Sequence, residues 1–248
     1  MISVIIPCHN NEKTLDRALS SVVKQTYTDL EIIVIDNGSD KPVENSDELY
    51  KDARITIYST PEILGAAGAR NKGVRMAKGE FVAFLDADDY WETDKLDKQM
   101  KVMNRFIHKG EKPVICFTGR RMVNEAGNDT GRYIGCDKIV DYKKLLRTNQ
   151  INCSSVLVRT EVMKKVGFPS GKLHEDYAAW LKILSAGGFA AGINRPLLSY
   201  RVCKSSRSGN KLRSAIMNFR VYRYIGLGIF ETMLHMVTYT YEGIRKHM

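Results

Sequence analysis

Short apolar runs broken by polar turns alternate, along the first half of the chain, with segments whose apolar residues recur at helical spacing. Ser3-Val4-Ile5-Ile6 is apolar and β-branched and is stopped by Pro7, the pattern of a strand buried in a parallel sheet. Leu15, Ala18, Leu19, Val22 and Val23 then fall on one helical face behind Asn10 and Asn11, good helix caps, and this helix is expected to end near Gln25. Glu31 to Ile35 is a second buried strand, closed by the turn sequence Asp36-Asn37-Gly38-Ser39. Strand, helix and strand within about 35 residues make a βαβ unit with a right-handed crossover.

The alternation continues through a weaker strand, Arg54 to Tyr58, and a helix from Ala66 to Ala77 ended by Lys78-Gly79. Glu80 to Leu85 is a strong strand that runs into Asp86-Ala87-Asp88-Asp89; a helix from Thr93 to His108 and a strand from Pro113 to Thr118 follow. Residues 119–135 read as a polar hairpin or loop, with turn signals at Gly127, Asn128 and Gly131. A strand at Ser154 to Val158, a short helix at Glu161 to Val166 and an amphipathic helix at Tyr177 to Ser185 complete this part. The pattern predicts an α/β fold with a mostly parallel central sheet over residues 1–210 and a helical tail over 211–248, without internal repeats or low-complexity linkers.

Composition adds limits. At 248 residues, with 44% hydrophobic and 27% charged residues, the chain is an ordinary globular protein able to bury a core. Cys8, Cys116, Cys136, Cys153 and Cys203 are odd in number and scattered, which fits a reducing cytoplasm and argues against a disulfide framework or a zinc site. Met1 runs directly into the first strand, and no stretch approaches the roughly 20 apolar residues of a membrane span, so no leader and no span are expected. Between Arg195 and Met248 ten Lys/Arg face two acids, so this end carries +8 of the total +10. A uniformly basic protein would suggest nucleic acid, which is not expected here. A basic tail rich in Tyr, Phe, Ile and Met suggests a membrane surface or an anionic ligand. Its cations are Lys211, Arg213, Arg220, Arg223, Arg245 and Lys246, and it reads either as a helix pair packed on the domain or as an interfacial helix at the inner face of the plasma membrane.

Open parallel sheets bind ligands beyond the carboxyl ends of their strands. Three polar clusters fall there: Pro7-Cys8-His9-Asn10, Asp36-Asn37-Gly38-Ser39 and Asp86-Ala87-Asp88-Asp89. Asp86 and Asp88 are the sharpest signal, because adjacent carboxylates repel and raise each other's pKa. A divalent cation resolves that conflict; Mg2+ or Mn2+ typically takes one or two carboxylates plus substrate phosphates. The plainer reading is an Asp-rich cap for the helix at Thr93, a job suited to Asp89. Neither a Gly-x-Gly-x-x-Gly fingerprint nor a Walker A loop follows the first strand. Arg70, within Gly65-Ala66-Ala67-Gly68-Ala69-Arg70-Asn71, can meet a phosphate, or the small residues can simply start a well-packed helix. Glu175 and Asp176 are electrostatically ordinary at a helix start, yet one positioned carboxylate can also serve as general base for a hydroxyl.

Together, Ser3-Val4-Ile5-Ile6-Pro7, Gln25-Thr26-Tyr27, Glu31 to Ser39, Ala69-Arg70-Asn71-Lys72-Gly73 and Ala83 to Asp89 resemble the family 2 glycosyltransferases of the GT-A fold. The match is dense over residues 2–95 and thins to His174-Glu175-Asp176 and Tyr200-Arg201. The resemblance implies a Rossmann-like nucleotide-diphospho-sugar transferase fold. It implies that Pro7, His9 and Glu12, with Asp36 or Asn37, hold the uracil and that Arg70 contacts the base or phosphates. It further implies that Asp88, with Asp86 and Ala87, binds Mn2+ or Mg2+ and the donor ribose, and that Asp176 is the base. The family often carries two acids before the glycine where this chain has Asp36-Asn37-Gly38, which leaves the reader of uracil N3–H open between the two side chains. Processive members carry a Gln-x-x-Arg-Trp motif and membrane helices, and this chain has neither, so a single transfer is expected. Tyr200-Arg201 and the basic aromatic tail look like bacterial enzymes that build O-antigen or capsule units on a polyprenyl-diphosphate carrier.

The resulting expectation is an inverting transferase moving a hexose or N-acetylhexosamine from a UDP-sugar to a saccharide or polyprenyl-diphosphate-linked acceptor. A nucleotide-sugar-binding module would lack Asp176 near the donor. A nucleotidyltransferase would carry a Gly-rich basic loop where Pro7-Cys8-His9-Asn10-Asn11 stands.

Overall fold

The computed structural model describes residues 1–43, 48–202 and 211–245, with side chains in the last stretch described over 212–241. Cys203 and Lys246 lie outside the described residues, as do the side chains of Lys211 and Arg245. The first part runs β1 (Ile2–Cys8), α1 (Leu15–Val23), β2 (Leu30–Asn37), β3 (Ile55–Thr60), α2 (Gly65–Met76), β4 (Phe81–Phe84), β5 (Tyr90–Trp91) and α3 (Lys95–His108). It continues through β6 (Pro113–Val123), β7 (Asp129–Ile134), β8 (Ile139–Val140), α4 (Tyr142–Arg147), β9 (Leu157–Arg159), α5 (Thr160–Val166) and α6 (Glu175–Ser185). Then come β10 (Phe189–Arg201), α7 (Lys211–Tyr224) and α8 (Ile229–Arg245).

All these strands join one sheet in the order β3-β2-β1-β4-β9-β6-β10-β5, with β7 on β6 and β8 on β10. β3, β2, β1 and β4 are mutually parallel, and β9 runs antiparallel between β4 and β6. The strand order reverses at β1, which has β2 on one side and β4 on the other, so the carboxyl ends of these three strands border the crevice. Alternate residues feed opposite faces. Val4, Ile6, Ile32 and Val34 pack with Leu15, Leu19 and Val22 of α1. Ile5, Ile33, Ile35 and Phe84 belong to the other core with Tyr177 and Trp180 of α6. Gly73 lets α2 lie close on β1, since a Cβ there would sit 2.5 Å from Ile5 Cγ2.

Helix α1 begins at Leu15 with Thr14 at its cap, not at Asn10 or Asn11. Asn10, at φ 53°, instead exchanges hydrogen bonds with Asp40, and Asn11 Oδ1 accepts from His9 N at 2.9 Å, so both asparagines build the loop after β1. Residues 119–135 form a β-hairpin, because β6 runs on to Val123 and pairs with β7. β10 has no counterpart in the sequence pattern; Gly192, Asn194, Arg195 and Pro196 break its alternation, and its register shifts around Pro196. α3 starts at Lys95 behind Asp94, so Asp89 is not its cap.

The inner side of the tail closes the second core. Val221 and Tyr222 of α7 are fully buried, Tyr222 Oη donates to Leu146 O at 2.8 Å, and the Tyr177 ring lies between those of Tyr222 and Tyr239 at 6.2 and 6.0 Å. Tyr222→Ala is therefore expected to lower the unfolding free energy by about 3–5 kcal/mol in a urea titration. A loss below about 1 kcal/mol would mean that α7 is only loosely attached.

Candidate functional site

The three strand ends and the start of α6 face one cleft of about 670 Å3. Pro7, Cys8 and His9 leave β1, Asn37 ends β2, and Gly65, Ala66 and Arg70 come from α2. Asp86, Ala87 and Asp88 follow β4, His174, Glu175 and Asp176 open α6, and Tyr200 and Arg201 end β10. The cleft thus brings together Pro7, His9, Asn37, Arg70, Asp86, Ala87, Asp88 and Asp176 among the residues singled out from the sequence.

Glu12 and Asp36 are not among its lining residues. Glu12 is exposed on the loop before α1. Asp36 is 2% exposed and folds its own turn: Oδ1 accepts from Ser39 N at 3.2 Å, and Oδ2 accepts from Val43 N at 3.1 Å and Ser59 Oγ at 3.3 Å. Gly38, at φ 72°, gives that turn its left-handed residue. Asn37 lines the cleft; its Oδ1 accepts from Leu64 N at 2.7 Å, and its main-chain oxygen lies 3.0 Å from His9 Nδ1.

Arg70 connects the two halves of the site. The guanidinium is 5% exposed, with Nη2 at 2.5 Å from Asp86 Oδ1 and Nη1 at 3.3 Å from Glu175 Oε1. Burial alone would lower its pKa, but Asp86 and Glu175 help hold it well above the ordinary value. Among the described residues no cation forms an ion pair with the Asp88 carboxylate; burial and the Asp86 charge raise its pKa, with Arg201 and Arg70 opposing. Asp89 is buried, Oδ1 accepts from Arg201 N at 2.9 Å, and its pKa lies well above the usual range, through burial first and then Asp88 and Asp86. Arg201 holds this loop from β10, with Nε donating to Asp88 O at 2.8 Å and Nη1 to Glu125 O.

Asp176 is placed by the first turn of α6, where Oδ1 accepts from Tyr177 N at 2.7 Å. Its pKa is raised by burial and by Glu175, with Arg70 opposing. A carboxylate that holds its proton more tightly than usual is a better base near neutral pH. Glu175, committed to Arg70, is less suited to that task.

Asn11, Ile63, Asn152, Cys153 and Met217 also line the cleft and carry no signal in the sequence pattern. Four of them stand in loops or in the short turn before β9, and Met217 arrives from α7. Among the described residues no group of three or more His, Cys, Asp and Glu could hold a metal by itself. Asp86 and Asp88 nonetheless fit a hard divalent cation whose remaining ligands come from a diphosphate, since two carboxylates lining one cleft are the oxygen ligands such an ion takes.

Comparison with known proteins identifies the family and the fold. The family described as Glycosyl transferase family 2 matches residues 3–153. The Escherichia coli UDP-Glc:alpha-D-GlcNAc-diphosphoundecaprenol beta-1,3-glucosyltransferase WfaP is 32% identical over 247 residues, covering 100% of this chain and 95% of that protein. The putative teichuronic acid biosynthesis glycosyltransferase TuaG of Bacillus subtilis is 31% identical over 251 residues, covering 100% of this chain and 98% of its own. A fragment of S. aureus TarS in complex with UDP-GlcNAc shares the fold at a TM-score of 0.74 and 19% identity, over 96% of this chain and 71% of that one.

Proposed function

The chain belongs to glycosyl transferase family 2, and from that premise we propose that it is an inverting transferase using a UDP-sugar as donor. It moves a hexose or N-acetylhexosamine to a polyprenyl-diphosphate-linked or saccharide acceptor in bacterial surface-polysaccharide synthesis. The observation that carries this reading is the presence of Asp86, Asp88 and Asp176 on one cleft, with Arg70 between them. A binding module without transfer has no use for the third carboxylate.

Asn37 and His9 border the cleft, and Asn37 rather than Asp36 reads the uracil, because only Asn37 lines the cleft while Asp36 is buried in its own turn. Arg70 fixes Asp86 and supplies positive charge beside the diphosphate. Asp86 and Asp88 would hold Mn2+ or Mg2+, which would supply positive charge to neutralise the departing UDP. Asp176 takes the proton of the acceptor hydroxyl as its oxygen attacks the anomeric carbon from the face opposite UDP. The carbon–oxygen bond to the diphosphate breaks in the same displacement, and the anomeric configuration inverts. Incubation with a panel of UDP-sugars, with and without Mn2+, tests the donor class: slow release of UDP from one of them supports the reading, and release from none with Mn2+ present contradicts it.

The tail gives the enzyme its route to a lipid-linked acceptor. No helix among the described residues is long and apolar enough to cross a membrane. On α8, however, Phe230, Met233, Leu234, Val237 and Tyr241 form an exposed stripe, with Phe230 89% exposed. Residues 1–210 carry the charged groups of the transfer site, and the described part of the tail combines an inner face that completes the core with an outer face that meets the membrane. Arg213, Arg220 and Arg223 of α7 each add about 1 kcal/mol near an anionic surface. The protein is expected to pellet with anionic liposomes at low salt and release at high salt, while Phe230→Asp/Leu234→Asp stays in solution. If the unmodified protein also stays in solution at low salt, the tail has no membrane role.

A further inference from the structure

Beside the cleft lies a second hollow of about 470 Å3, walled by Lys172 and Leu173 just before α6 and by Leu212, Ile216, Met217 and Arg220 of α7. Met217 lines both spaces. His174 Nε2, 3.2 Å from Ser214 Oγ, holds α7 against the start of the helix that carries Asp176. The floor is apolar, yet Leu212 and Ile216, one helical turn apart, are 74% and 47% exposed. The rim is cationic: Lys172, Arg213 and Arg220 border it, with Arg220 Nη1 donating to Lys172 O at 3.0 Å, and none of its lining residues is acidic.

An apolar trough edged with cations suits an amphiphile whose anionic group joins a sugar to a hydrocarbon chain. Guanidinium groups pair well with phosphate oxygens, and the uncovered leucine and isoleucine gain by burial against hydrocarbon. We propose that this hollow binds the diphosphate and first isoprene units of a prenyl-diphosphate-linked acceptor and thereby presents the acceptor sugar to Asp176. The assignment rests on the lipid-linked acceptor class proposed above.

Geranylgeranyl diphosphate is a sugar-free probe for the hollow, and pyrophosphate and geranylgeraniol are its two halves. Titration calorimetry on the full chain is expected to show the whole probe binding more tightly than either half. Leu212→Asp/Ile216→Asp and Arg213→Glu/Arg220→Glu are each expected to weaken it by about tenfold or more. Circular dichroism checks that both variants fold; if charge reversal disrupts α7, the Leu212/Ile216 variant, altered at exposed positions, decides alone. An unchanged affinity in a folded variant, or pyrophosphate binding as tightly as the whole probe, overturns the assignment. UDP release by the unmodified protein is measured in parallel. Its absence overturns the transferase reading, whereas UDP release together with probe binding that ignores α7 overturns only the acceptor hollow.

Discussion

Asp176→Asn is expected to lower turnover by about 10²–10⁴-fold and to leave the affinity for UDP close to that of the unmodified protein. The two side chains are nearly isosteric, and the main-chain contact from Tyr177 N to Oδ1 survives, so the site keeps its shape. What disappears is the ability to accept the hydroxyl proton. Burial and Glu175 raise the Asp176 pKa, so the rate is expected to fall on acidification at a higher pH than for an ordinary aspartate base. The same shift sets the sign for stability. A folded-state pKa above the unfolded one makes the ionised carboxylate destabilising at neutral pH, and that penalty fades as the pH falls through the raised value. The asparagine variant is therefore at least as stable as the parent at neutral pH, which separates lost chemistry from lost folding. Steady-state kinetics with UDP titration checks the claim. A loss that appears as weakened UDP binding places Asp176 on the donor side and leaves Glu175 as the base.

Removing the divalent ion with EDTA is expected to abolish transfer, and Mn2+ or Mg2+ to restore it. Asp88→Ala lowers turnover by at least about 10²-fold and is not rescued by added metal. The asymmetry between the two aspartates has a structural source. Asp86 is held by Arg70 at 2.5 Å, whereas the raised pKa of Asp88 reflects burial beside that second negative charge. Asp86→Asn is expected to act partly through Arg70, which would then retain only Glu175. Rate measurements on the metal-stripped protein decide the matter; full activity without a divalent ion removes Asp88 from this role.

The parallel half of the sheet was legible because β1, β2 and β4 are short, mostly apolar, β-branched or aromatic runs stopped by polar turns, the pattern of strands buried on both faces. The start of α1 was not, since asparagines that cap helices equally well build loops, and Asn10 and Asn11 are used for the latter. β10 escaped because its pairing with β6 tolerates a Gly, an Asn, an Arg and a Pro that no alternation pattern accepts. Among the site residues, Asp86 and Asp88 announce themselves by being charged at the end of an apolar strand. Asp176 stands in an ordinary helix start and becomes visible only through the family resemblance. The sequence pattern could not show that Asn37 lines the cleft while Asp36 is turned into its own loop, since that depends on three-dimensional hydrogen bonding.

The anomeric configuration of the product tests the central claim most directly. A single displacement assisted by Asp176 converts an α-linked UDP-sugar into a β-linked product, which proton NMR of the purified glycoside resolves. The account predicts the β product alone. An α-linked product would require a second displacement or a different attacking group, and would contradict it.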